Sequence, residues 1–380
     1  MKRDHDASLP QAPDGAECIL VLQGGGALGA YQAGVFESLS EVYHEPTWVA
    51  GISIGAINAA LIAGNPAALR SARLREFWET LSSSGGPNGF AMGARESVNE
   101  FSAASVMLFG VPGFFSPRFP PAPFQPRGSL DAISYYDTAP LLQTLDRLVD
   151  FDLINSGAMR LSLGAVNVRT GNFKYFDSTK ERIDARHVMA SAALPPGFAP
   201  VEIDGEFYWD GGIVSNTPLQ YVLDEAGKKR RIVFQVDLFA ATGAMPTTMA
   251  EVTEREKDIR FSSRTRLNTT VELDRQVLAH AAQRLIAKLP PELRDDPDVL
   301  ALSRVHSDSA VDVVHLIYRS KHYESQSKDY EFSRLSMREH WSAGYADMAQ
   351  TLLDPRWTGH NPRASGVHVF DLTSANPVPV

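Results

Sequence analysis

The sequence predicts an α/β fold, with a mainly parallel sheet covered by helices on both faces and a mostly helical C-terminal extension. Three observations carry this prediction. Cys18 to Leu22 is a short, continuous apolar run that stops at three glycines, as a strand buried on both faces does. Leu28, Tyr31, Val35, Leu39 and Val42 then recur at three- and four-residue steps, the stripe of one helix face. Thr47 to Ala50 and Ala56 to Ala63 repeat the alternation of strand and helix, which calls for parallel strands joined by crossover helices.

The remaining elements follow in order. Residues 1–17 read as a loose tail, and 18–240 as the main domain. Residues 82–130 interrupt it with an irregular insertion or lid rich in Ser, Gly and Pro; Val111 to Gly128 holds six prolines with Phe114, Phe115, Phe119 and Phe124. Those phenylalanines either pin the insertion to the core or face an apolar substrate. Tyr136 to Val149 reads as a helix, and Leu161 to Asn167 with Asn172 to Phe176 as a hairpin around Arg169-Thr170-Gly171. Ile203 to Trp209 and Arg231 to Leu238 read as strands. In the C-terminal region, 241–355, Thr253 to Leu289 is a densely charged helix with Leu267, Val271, Leu278, Leu285 and Leu289 along one stripe. Val311 to Tyr318 is a strand, Tyr330 to Leu353 a helix, and 356–380 a tail.

Composition excludes several classes. The 380 residues are 44% hydrophobic and 21% charged, so the chain is neither disordered nor fibrous. One cysteine, Cys18, leaves no disulfide framework and no cysteine-ligated zinc site. A net charge of −9 argues against nucleic acid as partner. The polar N-terminus lacks an apolar signal region. The uncharged stretch Pro46 to Leu69 has an apolar core shorter than the roughly 20 residues a bilayer requires, and it contains Asn58. A cytoplasmic protein, at most peripheral to a membrane, is expected.

Three segments carry chemistry. Gly51-Ile52-Ser53-Ile54-Gly55 has the G-x-S-x-G form of a nucleophile elbow between strand and helix. Gly24-Gly25-Gly26-Ala27-Leu28-Gly29 fits two patterns. Read as G-x-G-x-x-G it suggests a dinucleotide site, yet the acidic Glu41 and Glu45 precede the second strand rather than ending it. Read as an oxyanion hole, the backbone N–H groups of Gly24, Gly25, Gly26 and Ala27 face a developing negative oxygen at a helix start, with Ser53 at the end of the next strand. The third segment, Asp210-Gly211-Gly212, ends a strand and offers a carboxylate as base. None of the late histidines, His280 to His368, sits in a recognisable turn.

Taken in order, these segments resemble the patatin-like family of serine acyl hydrolases, marked by a glycine-rich oxyanion loop, G-x-S-x-G, and D-G-A or D-G-G. Ser191-Ala192-Ala193-Leu194-Pro195 and Asn216-Thr217-Pro218 flank Asp210 as they often do in such proteins. The resemblance covers about residues 18–240, and 241–380 resembles the extension of a bacterial subgroup. It implies a three-layer α/β/α fold, a Ser53–Asp210 dyad without histidine, and hydrolysis of acyl esters, typically of lipids, with no metal or cofactor. Gly29, Gly51, Gly55, Gly211 and Gly212 are its motif glycines. One departure stands out: many members carry Arg or Lys where this chain has Ala27 and Leu28. An acyltransferase on the same site, an NAD(P)-dependent dehydrogenase and a non-catalytic binding protein are the alternatives. The expected partner is a lipid or other acyl ester, with transient contact to a membrane surface; the oligomeric state is left open.

Overall fold

The computed structural model describes residues 15–42, 45–82, 95–225, 230–303, 310–321, 323–324, 327–360 and 366–372. The first strand, β1 (Glu17–Leu22), leads through the glycine-rich loop into α1 (Gly29–Val42), β2 (Trp48–Gly51) and α2 (Ile54–Ala63). Helices α3 (Arg70–Leu81) and α4 (Arg95–Phe109) follow, then the short strands β3 (Ser116–Pro117) and β4 (Tyr136–Asp137), and α5 (Ala139–Leu148) and α6 (Phe151–Asn155). The hairpin β5 (Arg160–Asn167) and β6 (Phe173–Asp177) precedes α7 (Ala185–Ser191), β7 (Val201–Ile203), β8 (Glu206–Asp210), α8 (Leu219–Asp224) and β9 (Arg231–Asp237). The C-terminal region supplies α9 (Met249–Ile286), α10 (Pro297–Ser303), β10 (Ala310–Ile317), α11 (Arg334–Leu353), α12 (Pro355–Thr358) and β11 (Gly366–Asp371).

One sheet runs β11-β10-β9-β1-β2-β5-β8-β7, with β6 also on β5. The pairs from β11 to β5 are all parallel, and those of β6, β7 and β8 are antiparallel. The apolar runs are buried on both faces. In β1, Leu20 and Leu22 pack towards α1 and α2, while Ile19 and Val21 pack with Leu219, Val222 and Leu223 of α8. The mainly parallel sheet and its helices agree with the predicted fold class.

Several local expectations are corrected. Tyr136 and Asp137 form a strand edge, so the helix starts at Ala139. Ile203 to Trp209 is a hairpin rather than one strand, because Asp204 (φ 52°) and Gly205 (φ 78°) make a tight turn of the kind that suits adjacent antiparallel strands. The stretch read as a tail after 356 contains β11, so β10 and β11 extend the sheet of the preceding region. Within 82–130, residues 95–109 are helical, and 83–94 lie outside the described residues. So do residues 1–14 of the N-terminal tail. At the start of β9, Arg230 binds Asp312 at 2.5 Å, and buried Arg231 donates to the Val222 carbonyl. Of the predicted stripe, Val271, Leu278 and Leu285 are exposed, and the side chain of Leu267 lies outside the described residues.

The C-terminal region docks through α11 on α1 with almost no space between backbones. A methyl group on Gly34 would lie 1.9 Å from the Trp341 carbonyl oxygen, and one on Gly344 would lie 2.0 Å from that of Tyr31. Gly344→Ala is therefore expected to cost about 1–3 kcal/mol by forcing the helices apart, read as a lower midpoint in urea unfolding. No helix of the described residues is long and apolar enough to cross a membrane.

Candidate active site

Register brings the predicted residues together. β2 takes Arg160 to Leu163 of β5, ending with Gly51 opposite Leu163. β8 takes Ala165 to Asn167, with Asp210 opposite Ala165. Ala165 and Val166 also pair with β6, so β8 must lie on the other edge of β5, the edge that β2 occupies. Strand β8 therefore continues the line of β2 in the opposite direction. Their ends, Gly51 and Asp210, face each other across the single residue Gly164. Crowding here dictates small residues: a methyl on Gly211 would lie 2.6 Å from the Gly164 carbonyl oxygen.

Ser53 stands in the gap at the start of α2, with φ 57° and ψ −125°, a positive-φ conformation that side-chain-bearing residues rarely adopt. Its neighbours leave no alternative to glycine. A methyl on Gly51 would lie 2.2 Å from the Gly55 carbonyl oxygen, and one on Gly55 would lie 2.3 Å from that of Leu22. The Ser53 N–H is held by Ser191 at the end of α7, through its hydroxyl (3.2 Å) and its carbonyl (3.1 Å). The Ser191 hydroxyl in turn donates to the Gly164 carbonyl at 2.6 Å.

Asp210 is buried, and its backbone N–H donates to the Ala193 carbonyl. Burial pushes its carboxyl up to about 7, while the Ser53 hydroxyl and the Gly212 N–H pull it back. The Gly212 N–H donates to Oδ1 at 2.7 Å. Among the described residues, no histidine acts on this carboxyl. His315 faces Asp371, His340 binds Glu324 and His360 binds Asp312.

The glycine-rich loop passes beside Ser53; a methyl on Gly24 would come within 3.0 Å of the serine Cβ. Two of the four predicted donors are already engaged and are corrected on that ground. The Gly24 N–H donates to the Asn216 carbonyl (3.1 Å), and the Ala27 N–H to the Asp329 carbonyl (2.7 Å). The N–H groups of Gly25 and Gly26 have no acceptor among the described residues.

Of the positioning residues, Asn216 entered only through the resemblance, and the others carried no chemical signal in the sequence. Asn216 clamps Gly24 from both sides, since its Nδ2 also donates to the Gly24 carbonyl at 2.8 Å. Fully buried Gln23 accepts from the N–H groups of Leu238 and Phe239, and donates to Thr217 Oγ1 and the Phe261 carbonyl. Its own carbonyl accepts from Gln32, which is joined through Asn58 to Trp78. Buried amides inside apolar elements were the only hint, because such groups must find partners. Asp329 gave no hint at all.

The candidate site lies at the C-terminal ends of the parallel strands. A cavity of about 540 Å³ opens at their other ends, lined by Glu17, Trp48, Arg160, Glu225 and Arg231 among others. Its guanidinium groups are spoken for: Arg160 binds Asp177 and Glu225, and Arg231 donates to the Val222 carbonyl.

The insertion splits by function of place. Phe114 and Phe115 are buried against Phe198 and Tyr136, whereas Phe119 is 94% exposed. Phe114 and Phe115 thus pin the insertion to the core, while Phe119 and Phe124 stand exposed.

The chain is similar to the cGAMP-activated phospholipase of Vibrio cholerae serotype O1, at 29% identity over 214 residues covering 53% of this chain and 55% of that one. It thus spans about half the length of this curated relative. Among solved structures it is similar to VipD from Legionella pneumophila (14% identity, TM-score 0.39, 90% of this chain and 67% of that one). It is also similar to the type III effector ExoU (12% identity, TM-score 0.35, 90% and 53%). A family model described as patatin phospholipase matches residues 259–364. Another, described as patatin-like phospholipase, matches residues 20–223, more than half of the chain, and takes in Ser53 and Asp210 together with the loop between β1 and α1. The chain belongs to the patatin-like phospholipase family.

Proposed function

We propose that the chain hydrolyses carboxylic esters of lipids through a Ser53–Asp210 dyad and an acyl-enzyme. The observation that carries this reading is a buried Asp210 carboxyl, raised to about 7 by burial and drawn back by the Ser53 hydroxyl, near a glycine loop in which the N–H groups of Gly25 and Gly26 have no acceptor among the described residues. A base is most useful when its pKa lies near the working pH. Ser53 Oγ attacks the acyl carbon and gives its proton to Asp210. The carbonyl oxygen, now negative, is held by the N–H groups of Gly25 and Gly26. Collapse expels the alcohol, which takes the proton from Asp210 and leaves an acyl ester on Ser53. Water then attacks that ester, losing its proton to Asp210. The second collapse returns the proton to Ser53 and frees the fatty acid.

Exposed apolar side chains on α4 and in the segment that follows it support lipid as the acyl donor and contact with a membrane surface. Phe101, Leu108 and Phe109 of α4, with Phe119, Phe124 and Ile133, are exposed. They are tied to the site's surroundings through the Tyr136 hydroxyl, which donates to the Met107 carbonyl, and through the Tyr136 N–H, which donates to the Gly197 carbonyl. Exposed Leu194 directly follows the residue that holds Asp210. Several large apolar side chains exposed along one stretch of chain suit an interaction surface.

The test is intact-mass analysis after treatment with an alkyl fluorophosphonate. One adduct on the wild type and none on Ser53→Ala is expected. An adduct that persists on Ser53→Ala, or none on folded wild type, overturns the assignment. Turnover of a lipid ester with and without an acceptor alcohol then separates hydrolysis from acyl transfer.

A further inference from the structure

The back of the glycine-rich loop is built by residues of the C-terminal region. Besides accepting the Ala27 N–H, the Asp329 carbonyl presses on Gly26 so closely that a methyl there would lie 2.0 Å from its oxygen. The segment bearing this carbonyl is anchored with unusual care. Lys328 is 3% exposed, and its ammonium donates to Glu254 Oε1 (3.0 Å), Asp258 Oδ1 (2.8 Å) and Ser320 Oγ (2.7 Å). Lys257 donates to Asp329 Oδ1 at 2.5 Å. Asp258 lies four residues after Glu254 and three before Phe261, and Lys257 three after Glu254 and four before Phe261, so they share one face of α9. Phe261 offers its carbonyl to Gln23, the residue before the glycines. One face of α9 thus grips the glycine loop at both ends, directly through Gln23 and indirectly through Lys328 and Asp329.

Three consecutive glycines have more backbone freedom than any other sequence, and freedom is what an oxyanion pocket must not have. Resting on the acyl hydrolase reading above, we propose that this clamp is positioning machinery for the oxyanion pocket, with Lys328 and Lys257 as its positioning residues. The Asp329 carbonyl takes up the Ala27 N–H and fixes the adjoining peptide planes. Gly25 and Gly26 are left as the donors, aimed beside Ser53. A buried ammonium must keep its carboxylate partners to offset lost hydration, so the ion cluster specifies one position for the segment. The C-terminal region is then a working part of the site rather than an appendage.

The full chain carrying Lys328→Met, Lys328→Arg or Lys257→Met tests this, with kcat and KM on a soluble p-nitrophenyl ester and urea unfolding alongside. Loosening the pocket should weaken the transition state rather than ground-state binding. Lys328→Met is expected to lower kcat about 10- to 100-fold with KM little changed, and Lys328→Arg to recover most of it. Lys257→Met, which leaves the buried cluster intact, is expected to lower kcat about threefold to tenfold. The midpoint of the pH profile should not move, since Asp210 is untouched. Folded variants with wild-type kcat, or with the loss confined to KM, overturn the proposal; if Lys328→Met does not fold, Lys257→Met decides. Wild type that turns over while the variants are undiminished removes only the clamp. Wild type with no Ser53-dependent turnover removes the hydrolase reading and the clamp with it.

Discussion

Ser53→Ala is expected to lower kcat for ester hydrolysis at least about 10⁴-fold, because no other group can form the acyl-enzyme. Ser53→Gly should be equally inactive but more stable. The serine is held at φ 57°, a conformation that costs a side-chain-bearing residue about 1–3 kcal/mol and glycine almost nothing. Alanine keeps the Cβ and with it the strain. Urea unfolding should therefore rank Ser53→Gly above both wild type and Ser53→Ala, by about 1–2 kcal/mol after allowing for the extra freedom of glycine when unfolded. Glycine and alanine variants of equal stability would show that the elbow is not strained. The comparison separates the chemistry of the hydroxyl from the backbone geometry that presents it.

Asp210→Asn is expected to lower kcat about 10²- to 10⁴-fold, the usual contribution of a positioned base. The amide can still accept from the Gly212 N–H, so the local turn survives. In the wild type, kcat/KM should rise with pH and level off above about 7, where the carboxyl is ionised and able to take the serine proton. The residual activity of Asp210→Asn should lack this limb. Stability follows the opposite course. Asp210 binds its proton more tightly in the folded chain than in the unfolded one, where it titrates near the ordinary aspartate value. Its contribution is therefore full below about 4 and is lost as pH rises to about 7. Asp237, buried and likewise raised to about 7, acts in the same direction, while Asp177, held low by Arg160 and its other hydrogen-bond donors, acts in the other. The difference between wild type and Asp210→Asn isolates the first of these. The mutant's stability advantage should grow between pH 4 and 7 and reach a few kcal/mol at pH 8. A difference independent of pH would show that Asp210 is not perturbed by burial.

The chain's local grammar was legible where physics is local. The apolar run of β1, the stripe of α1 and the glycines at 51 and 55 each follow from neighbours a few residues away. So does the Asp204-Gly205 turn, whose signal lay in plain view within a run read as one strand. The extent of α9 was close, because a long charged helix declares itself by composition. The fate of its leucines was not: the same stripe can pack or face solvent, and periodicity does not distinguish the two. Phe114 and Phe119 differ as little in sequence and as much in burial.

The sequence by itself determined the elbow, the strands that frame it and the order of the three motifs, since each rests on sterics between near neighbours. Only the tertiary structure decided that β8 lies in line with β2 on one edge of β5. That register brings Asp210 to Ser53 and, by burying the carboxyl, raises it towards neutrality. Only the tertiary structure, too, showed that Gly24 and Ala27 spend their N–H groups on Asn216 and Asp329. Pairing between distant segments is settled by the summed packing of the whole core, and no short stretch of sequence contains that sum.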